Sequence, residues 1–336
     1  MWFRDTKLCY TSGMIRMVVG ILRGGTSSEY AFSLKTGAAL LAALPDERYE
    51  VRDIFIDRNG TWYLYGAPTT PARALSQVDV VLNALHGGAG EDGTIQRLLV
   101  RMGIPFAGSD ALGASKSLHK TRAKEAFAQV GIRMPQGVHL SRSMGLSTGE
   151  MARAVFAQFG PPYMVKPPSE GASHGVLIAQ SLGDLPDAIG DTIDSYGTAL
   201  VEEYIIGREA TVGIIERFRG KEVYALPPAA VIKAGKHITH AQHQLGAVEY
   251  QCPSPFSHDE KYALEETARL AHRALGLSHF SRADFILNQK GVPYLLEVDA
   301  HPHLFDGAAF PKMLETVGSS VGEFAEHAIR LARSGT

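Results

Sequence analysis

"SRADFILNQKGVPYLLEVDAHPH", residues 281–303, threads three carboxylates, Asp284, Glu297 and Asp299, through two apolar runs. ADFIL and PYLLEV have strand length, and NQKG (288–291) between them reads as a tight hairpin turn. Strand side chains alternate faces, so Glu297 and Asp299 project to one side. Antiparallel pairing of the two runs would bring Asp284 to them. Oxygen ligands without His or Cys suit Mg²⁺, usually bridging to phosphates, with manganese as the alternative ion. A solvated strand face is the competing reading. Against it, Arg282 and the three acids sit within strongly apolar strands, where unpaired charge is costly. The stretch therefore predicts a magnesium site facing a nucleotide.

The rest of the chain fits such a protein. Its 336 residues, 45% hydrophobic, suit two or three globular domains. A formal net charge of −2 gives no electrostatic footprint for nucleic acid. No apolar run approaches membrane-spanning length. Two cysteines, Cys9 and Cys252, offer neither a disulfide framework nor metal-ligand spacing, which points to a reducing cytoplasm. The opening MWFRDTKLCYTSGMIR lacks the apolar region of a secretory signal. Residues 1–16 are expected to be a disordered extension, with Met14 or Met17 as alternative starts.

From Met17, strands alternate with helices: MVVGIL, a Gly-Gly turn, a helical stretch to Leu44, VRDIFID, TWYLYG, VDVVLNAL, HGGAGEDG, then helical TIQRLLVRMG. This order implies a parallel α/β layer. The expected domains are an N-terminal α/β substrate domain over 17–108, a central unit over 109–199 and a C-terminal unit over 200–336. The central unit contains one helical stretch, SKSLHKTRAKEAFAQVG, then PYMVKP, the loop SEGASHG and VLIAQ. The C-terminal unit contains strands, a polar loop over 233–250, the helix SHDEKYALEETARLAHRALG and the carboxylate hairpin. Ser320 and Glu323 have capping-box spacing at the start of the final helix.

GGAGEDG holds a literal G-x-G-x-x-G (Gly88, Gly90, Gly93), with Asp110 downstream. A dinucleotide fingerprint belongs to the first βα turn, and this one falls later and carries two acids. A helix N-terminus beside His86 could instead bind a carboxylate. GGTSSE (24–29) has the placing of an anion or zwitterion site, and Glu29 there could hold an ammonium; a helix-start acid is the simpler reading. Lys166 ends an apolar strand, where lysine needs a partner, a nucleotide phosphate or an ordinary salt bridge. Lys120 lies in a different element of the same unit. No Walker A motif is present.

GGTSSE, ALHGGAGEDGTIQ, LHKTRAK, VKPPSEGASHGV, LVEEYIIGRE and SRADFIL…LLEVD stand in the order and spacing of the D-alanine–D-alanine ligases, of the ATP-grasp superfamily. The resemblance runs from about Met17 to about residue 330. It implies a three-domain ATP-grasp fold of the α/β (α+β) class, with ATP gripped between the central lid domain and the C-terminal domain. Lys120 and Lys166 would contact the phosphates and adenine region. Glu170, Gly171 and Ser173 would lie in the lid loop, and Glu202, Glu203, Ile205 and Glu209 would line the adenine and ribose pocket. Asp284, Glu297 and Asp299 occupy the Mg²⁺-ligand positions. Glu29 would take the ammonium of the first D-alanine, His86 its carboxylate, and Arg282 would stabilise the oxyanion. The implied function is ATP-dependent D-Ala–D-Ala synthesis through an acylphosphate, for peptidoglycan precursors, by a cytoplasmic homodimer.

Departures from the family pattern cluster around the second substrate. The stretch after the hairpin reads EVDAHPHL, where the family has E-[IV]-N-T-x-P-G-[MF]. Asp299 stands for Asn and His303 for Gly. FDGAAFPK lacks the serine expected to receive the second carboxylate, and Ala308 stands near its place. Ala172 replaces the lid serine. The omega-loop Lys-Tyr pair aligns with Gln242 and His243, with His237 and His240 in the same loop. A histidine there resembles the D-alanine–D-lactate ligases. The alternatives are thus a D-Ala–X ligase with another nucleophile, a ligase for a different amino-acid pair, and a nucleotide-binding protein with impaired ligation.

Overall fold

A computed structural model of the chain describes residues 16–171, 173–232 and 248–334. The expected extension falls almost entirely outside them, as do Ala172, His237, His240, Gln242 and His243. Three sheets organise the described residues.

The first sheet is built from β1 (Met17–Gly24), β2 (Tyr49–Ile56), β3 (Trp62–Leu64), β4 (Ala67–Thr69), β5 (Val80–Asn83) and β6 (Phe106–Ala107), with α1 (Tyr30–Ala43), α2 (Pro71–Ala74) and α3 (Thr94–Arg101) between them. The order is β4-β3-β2-β1-β5-β6. β2, β1, β5 and β6 run parallel, while β3 and β4 form an antiparallel edge. Val19, Ile21 and Leu22 are fully buried, as a central strand covered on both faces requires. Gly24 ends β1 at φ +95°, and a Cβ there would lie 2.0 Å from the Ile56 carbonyl oxygen. Only glycine lets the chain turn out of the sheet at this point, towards Glu29.

Next come α4 (Ala111–Leu118), α5 (Lys120–Gln129), β7 (Gly137–Ser141), α6 (Thr148–Phe156), β8 (Tyr163–Lys166), β9 (Leu177–Ala179), α7 (Leu185–Tyr196) and β10 (Thr198–Glu203). The four strands pair antiparallel in the order β7-β10-β8-β9. The single helix expected over SKSLHKTRAKEAFAQVG is two helices, because His119 between them is extended at ψ 95°. The boundary expected between 199 and 200 falls inside β10, whose pairing with β8 runs on to Glu203. Sheet pairing binds those residues to the central unit. Ala123, Phe127 and Ile132 pack instead into the core of the C-terminal sheet.

That sheet contains β11 (Gly207–Phe218), β12 (Lys221–Ala225), β13 (Ala229–Ile232), β14 (Glu249–Gln251), β15 (Phe280–Asn288) and β16 (Pro293–Asp299), with α8 (His258–Leu275) before β15, and α9 (Ala309–Thr316) and α10 (Val321–Ser334) at the end. Its order is β14-β13-β11-β15-β16, with β12 on β11. The hairpin closes where the Asn288 N–H donates to Val292 and the Gly291 N–H donates to Asn288. The last two helices do not stay with this sheet. Phe310, Leu314, Phe324 and Ile329 share one core with Val19, Ile21 and Val80 of the first sheet. The chain end thus locks the N-terminal unit against the C-terminal one. The Glu323 N–H donates to Ser320 Oγ, while its carboxylate accepts from Ser319 Oγ, so only half of the anticipated capping box forms.

The seam holds a pH-sensitive contact. His279 Nδ1 accepts the Gly108 N–H at 3.0 Å. Burial lowers the His279 pKa against the opposing pull of Glu216. A lowered histidine pKa means the folded state resists protonation, so stability is lost as pH falls from the unfolded value towards the folded one. His279 also sits at φ +67°, which Asn tolerates. We expect His279→Asn to lose less stability than the wild type between pH 7 and 5. The difference is at most about 1.4 kcal/mol per pH unit. Urea midpoints across that range check it, and parallel pH profiles would refute it.

Candidate active site

The register of β15 and β16 settles the carboxylate face. Asp284 stands opposite Glu297, and Arg282 opposite Asp299. A bulge at Asp284/Phe285 keeps these residues together while the rest of the hairpin continues its pairing. Arg282 Nη2 lies 3.0 Å from Asp284 Oδ2 and 3.4 Å from Asp299 Oδ2. Lys120, at the start of α5, reaches across to Glu297 Oε2 at 3.0 Å and donates to the Glu170 carbonyl at 2.6 Å. The acids therefore arrive on one face with cations between them.

These contacts divide the three carboxyls. Burial raises Glu297, but Lys120 and Lys166 outweigh it and pull it down to about 2. Burial dominates at Asp284 and, with Glu297 opposite, lifts it to about 6 despite Arg282. Asp299 ends below the usual range because Arg282, His303 and His86 outweigh its burial. Asp284 is thus the carboxylate with most to gain from another cation. Among the described residues, no group of three or more His, Cys, Asp or Glu converges as a ready metal cluster. Lys120 and Arg282 pair with the acids. The oxygen-only donor set on one face still fits a hard divalent cation.

A cavity of about 570 Å³ opens over this face. Its volume lies in the usual range for small-molecule sites. Lys120, Lys166, Glu170, Gly171, Ser173, Glu202, Glu203, Ile205, Glu209, Arg282, Asp284, Glu297, Asp299, Glu29 and His303 all line it. Its far wall is the central sheet. Glu202 of β10 takes Lys166 Nζ at 2.5 Å and Lys124 Nζ at 2.6 Å. Burial pushes Glu202 up, but the two ammonium groups outweigh it and leave its pKa lowered. Lys124 was missed in the sequence, although its i,i+4 spacing from Lys120 puts both on one face of α5.

The third wall comes from the N-terminal unit. Glu29 precedes α1, is 5% exposed and has its pKa raised by burial. A Cβ on Gly171 would lie 2.3 Å from Glu29 Oε1, so the loop after β8 rests directly on this carboxylate. Glu170 Oε2 accepts from Ser28 Oγ at 3.0 Å, a lid contact that no local pattern announces. We expect Gly171→Ala to keep the fold and cut turnover about tenfold, because the added methyl must push Glu29 or the lid aside. Steady-state rates against a thermal melt test this; unchanged turnover would show that the loop shifts freely.

Two expected residues stand elsewhere. His86 lies behind the cavity wall, 2% exposed, with Nε2 2.9 Å from Thr36 Oγ1 and Nδ1 3.6 Å from Glu91 Oε1. Burial lowers the His86 pKa and raises that of Glu91 well above its usual value, so both groups resist charging at this contact. Glu91, unassigned in the sequence, lines the cavity itself. Ala308 is absent from the lining and is the buried N-cap residue of α9.

Sequence comparison now agrees with this geometry. The family model "D-ala D-ala ligase C-terminus" matches residues 126–330, and "D-ala D-ala ligase N-terminus" matches 65–109. A D-alanine--D-alanine ligase of Desulforudis audaxviator is 32% identical over 95% of this chain and 99% of its own length. The chain belongs to the D-alanine–D-alanine ligase family. Among solved structures, the D-alanine--D-alanine ligase of Bacillus anthracis, complexed with ATP, superposes with a TM-score of 0.77 at 25% identity, over 95% of this chain and 98% of that one. A D-Ala:D-Ser ligase of Enterococcus faecalis shares the fold, with a TM-score of 0.82 at 23% identity over 94% and 99% of the two chains. The ATP-grasp architecture expected of this family member is therefore the one observed. Among the described residues no helix is long and apolar enough to cross a membrane.

Proposed function

We propose that this D-alanine–D-alanine ligase family member joins two D-alanine molecules at the expense of ATP. The observation that carries the reading is the single cavity in which Glu29 faces Lys120, Lys166, Arg282 and the carboxylate hairpin. Glu29 would take the ammonium of the first D-alanine, which supplies the counter-charge its burial calls for. The substrate carboxylate would attack the γ-phosphate of ATP, giving D-alanyl phosphate and ADP. Lys120 and Lys166 would hold phosphate oxygens, and Arg282 would steady the oxyanion when the second amine displaces phosphate. Asp284, Glu297 and Asp299 would hold Mg²⁺, which would supply charge neutralisation at the transferring group. The lid loop, fixed by Ser28–Glu170 and Lys120, would shield the acylphosphate from water. Use in peptidoglycan precursor synthesis, a cytoplasmic location and a homodimer complete the proposal.

Phosphate release from ATP with D-alanine, D-serine, D-lactate and L-alanine, and mass analysis of the product, tests it. D-alanine-dependent release with a dipeptide product is the expected result. Silence with D-alanine and turnover with another substrate would overturn it. The second reading, a D-Ala–X ligase, draws on one observation: the cavity is lined by an imidazole, His303, in a sequence position where the family pattern has glycine.

A further inference from the structure

His303 is held from several sides. Its ring stacks on Phe32 of α1 at 4.6 Å and 21°, and lies against Phe305 at 5.3 Å and 30°. Phe32 and Phe305 stack in turn at 5.9 Å and 10°. The His86 ring meets it edge-on at 4.5 Å. With the imidazole plane fixed this way, Nε2 lies 3.6 Å from Glu29 Oε2, at side-chain exposures of 13% and 7%. The imidazole thus sets a ring nitrogen beside the Glu29 carboxylate. Gly171 lies against the other carboxylate oxygen, where an added Cβ would come within 2.3 Å of Oε1. Glu29 is therefore gripped between the lid backbone and a clamped imidazole.

We propose that His303 is a positioning residue for the first substrate, whose ring, clamped by Phe32 and Phe305, fixes the Glu29 carboxylate that receives the substrate ammonium. This rests on the ligase reading above and deepens it. A buried carboxylate that rotates freely loses the orientation needed for a charged hydrogen bond, and the imidazole removes that freedom. The aromatic stack sets the ring before substrate arrives, so the cost of ordering it is met in folding. The role belongs to amino-acid binding and leaves the nucleotide wall, 166–209, untouched.

Hydroxylamine isolates the first half-reaction. It attacks D-alanyl phosphate at the carbonyl carbon, forming D-alanyl hydroxamate and expelling phosphate, so no second amino acid is needed. In this assay His303→Leu is expected to raise the D-alanine KM about tenfold, because the 3.6 Å polar contact that orients Glu29 is lost. The KM for ATP and kcat should stay within about twofold, and His303→Gln, which retains a donor, should recover part of the loss. An unchanged D-alanine KM in His303→Leu would overturn the proposal, as would an equal rise in both KM values with no recovery in His303→Gln. The pairing is read separately, without turnover, from ¹⁵N signals of the histidine rings. Glu29→Gln should move one ring's signals, the same ring that disappears in His303→Leu. If no such ring responds, the pairing is absent. A wild-type enzyme that makes no hydroxamate from D-alanine would count against the ligase reading instead, while the ring signals still decide the pairing.

Discussion

Asp284→Asn or Glu297→Gln is expected to abolish phosphate release while the protein remains folded. Each change keeps the side-chain shape and removes one negative charge from the hairpin face. At Asp284 the carboxyl is pushed up to about 6 by burial, so losing its charge costs the fold little. At Glu297, whose carboxyl is held down at about 2, the change also costs stability, because Lys120 loses its 3.0 Å partner and keeps only the Glu170 carbonyl at 2.6 Å. The loss falls on the transferring phosphoryl group. Removing one preorganised electrostatic partner typically lowers turnover about 10²- to 10³-fold. A divalent cation held by hard oxygens would add to that deficit. Phosphate release with D-alanine and ATP, set beside a thermal melt, is the measurement. Near-normal turnover in either variant would make these acids structural.

Glu202→Gln should instead show itself in stability. It leaves Lys166 and Lys124, with side chains only 11% and 16% exposed, facing each other without their shared carboxylate. Breaking a buried ion pair by removing one partner costs about 3–5 kcal/mol, because an uncompensated charge stays behind. The melting midpoint should drop by several degrees and the KM for ATP should rise. Adding Lys124→Met, which removes one stranded charge, should recover much of the midpoint. A Glu202→Gln protein that melts with the wild type, or a double variant that melts lower than the single one, would show that the lysines are neutralised elsewhere.

The hairpin, the helix starts and the sheet type were legible in the sequence because each depends on local periodicity. Asp284, Glu297 and Asp299 share a face because strand side chains alternate and the NQKG turn sets the register. The parallel N-terminal layer follows from alternating strands and helices. The six motifs in order named the family. Sequence could not give what depends on approach between distant segments. The expected boundary at 199–200 fell inside β10 because strand pairing, not composition, assigns residues to a sheet. His119 broke a helix that its neighbours would continue. Ser28 meets Glu170 across 142 positions, Lys124 converges with Lys166 on Glu202, and His303 meets Glu29 beside the stacked Phe32 and Phe305. Ala308, close in sequence to His303, caps the start of α9 and does not line the cavity. The chain by itself determined which chemical groups would be present and on which local face. The tertiary structure decided which of them meet, since burial and long-range packing set both the distances and the charges at which they act.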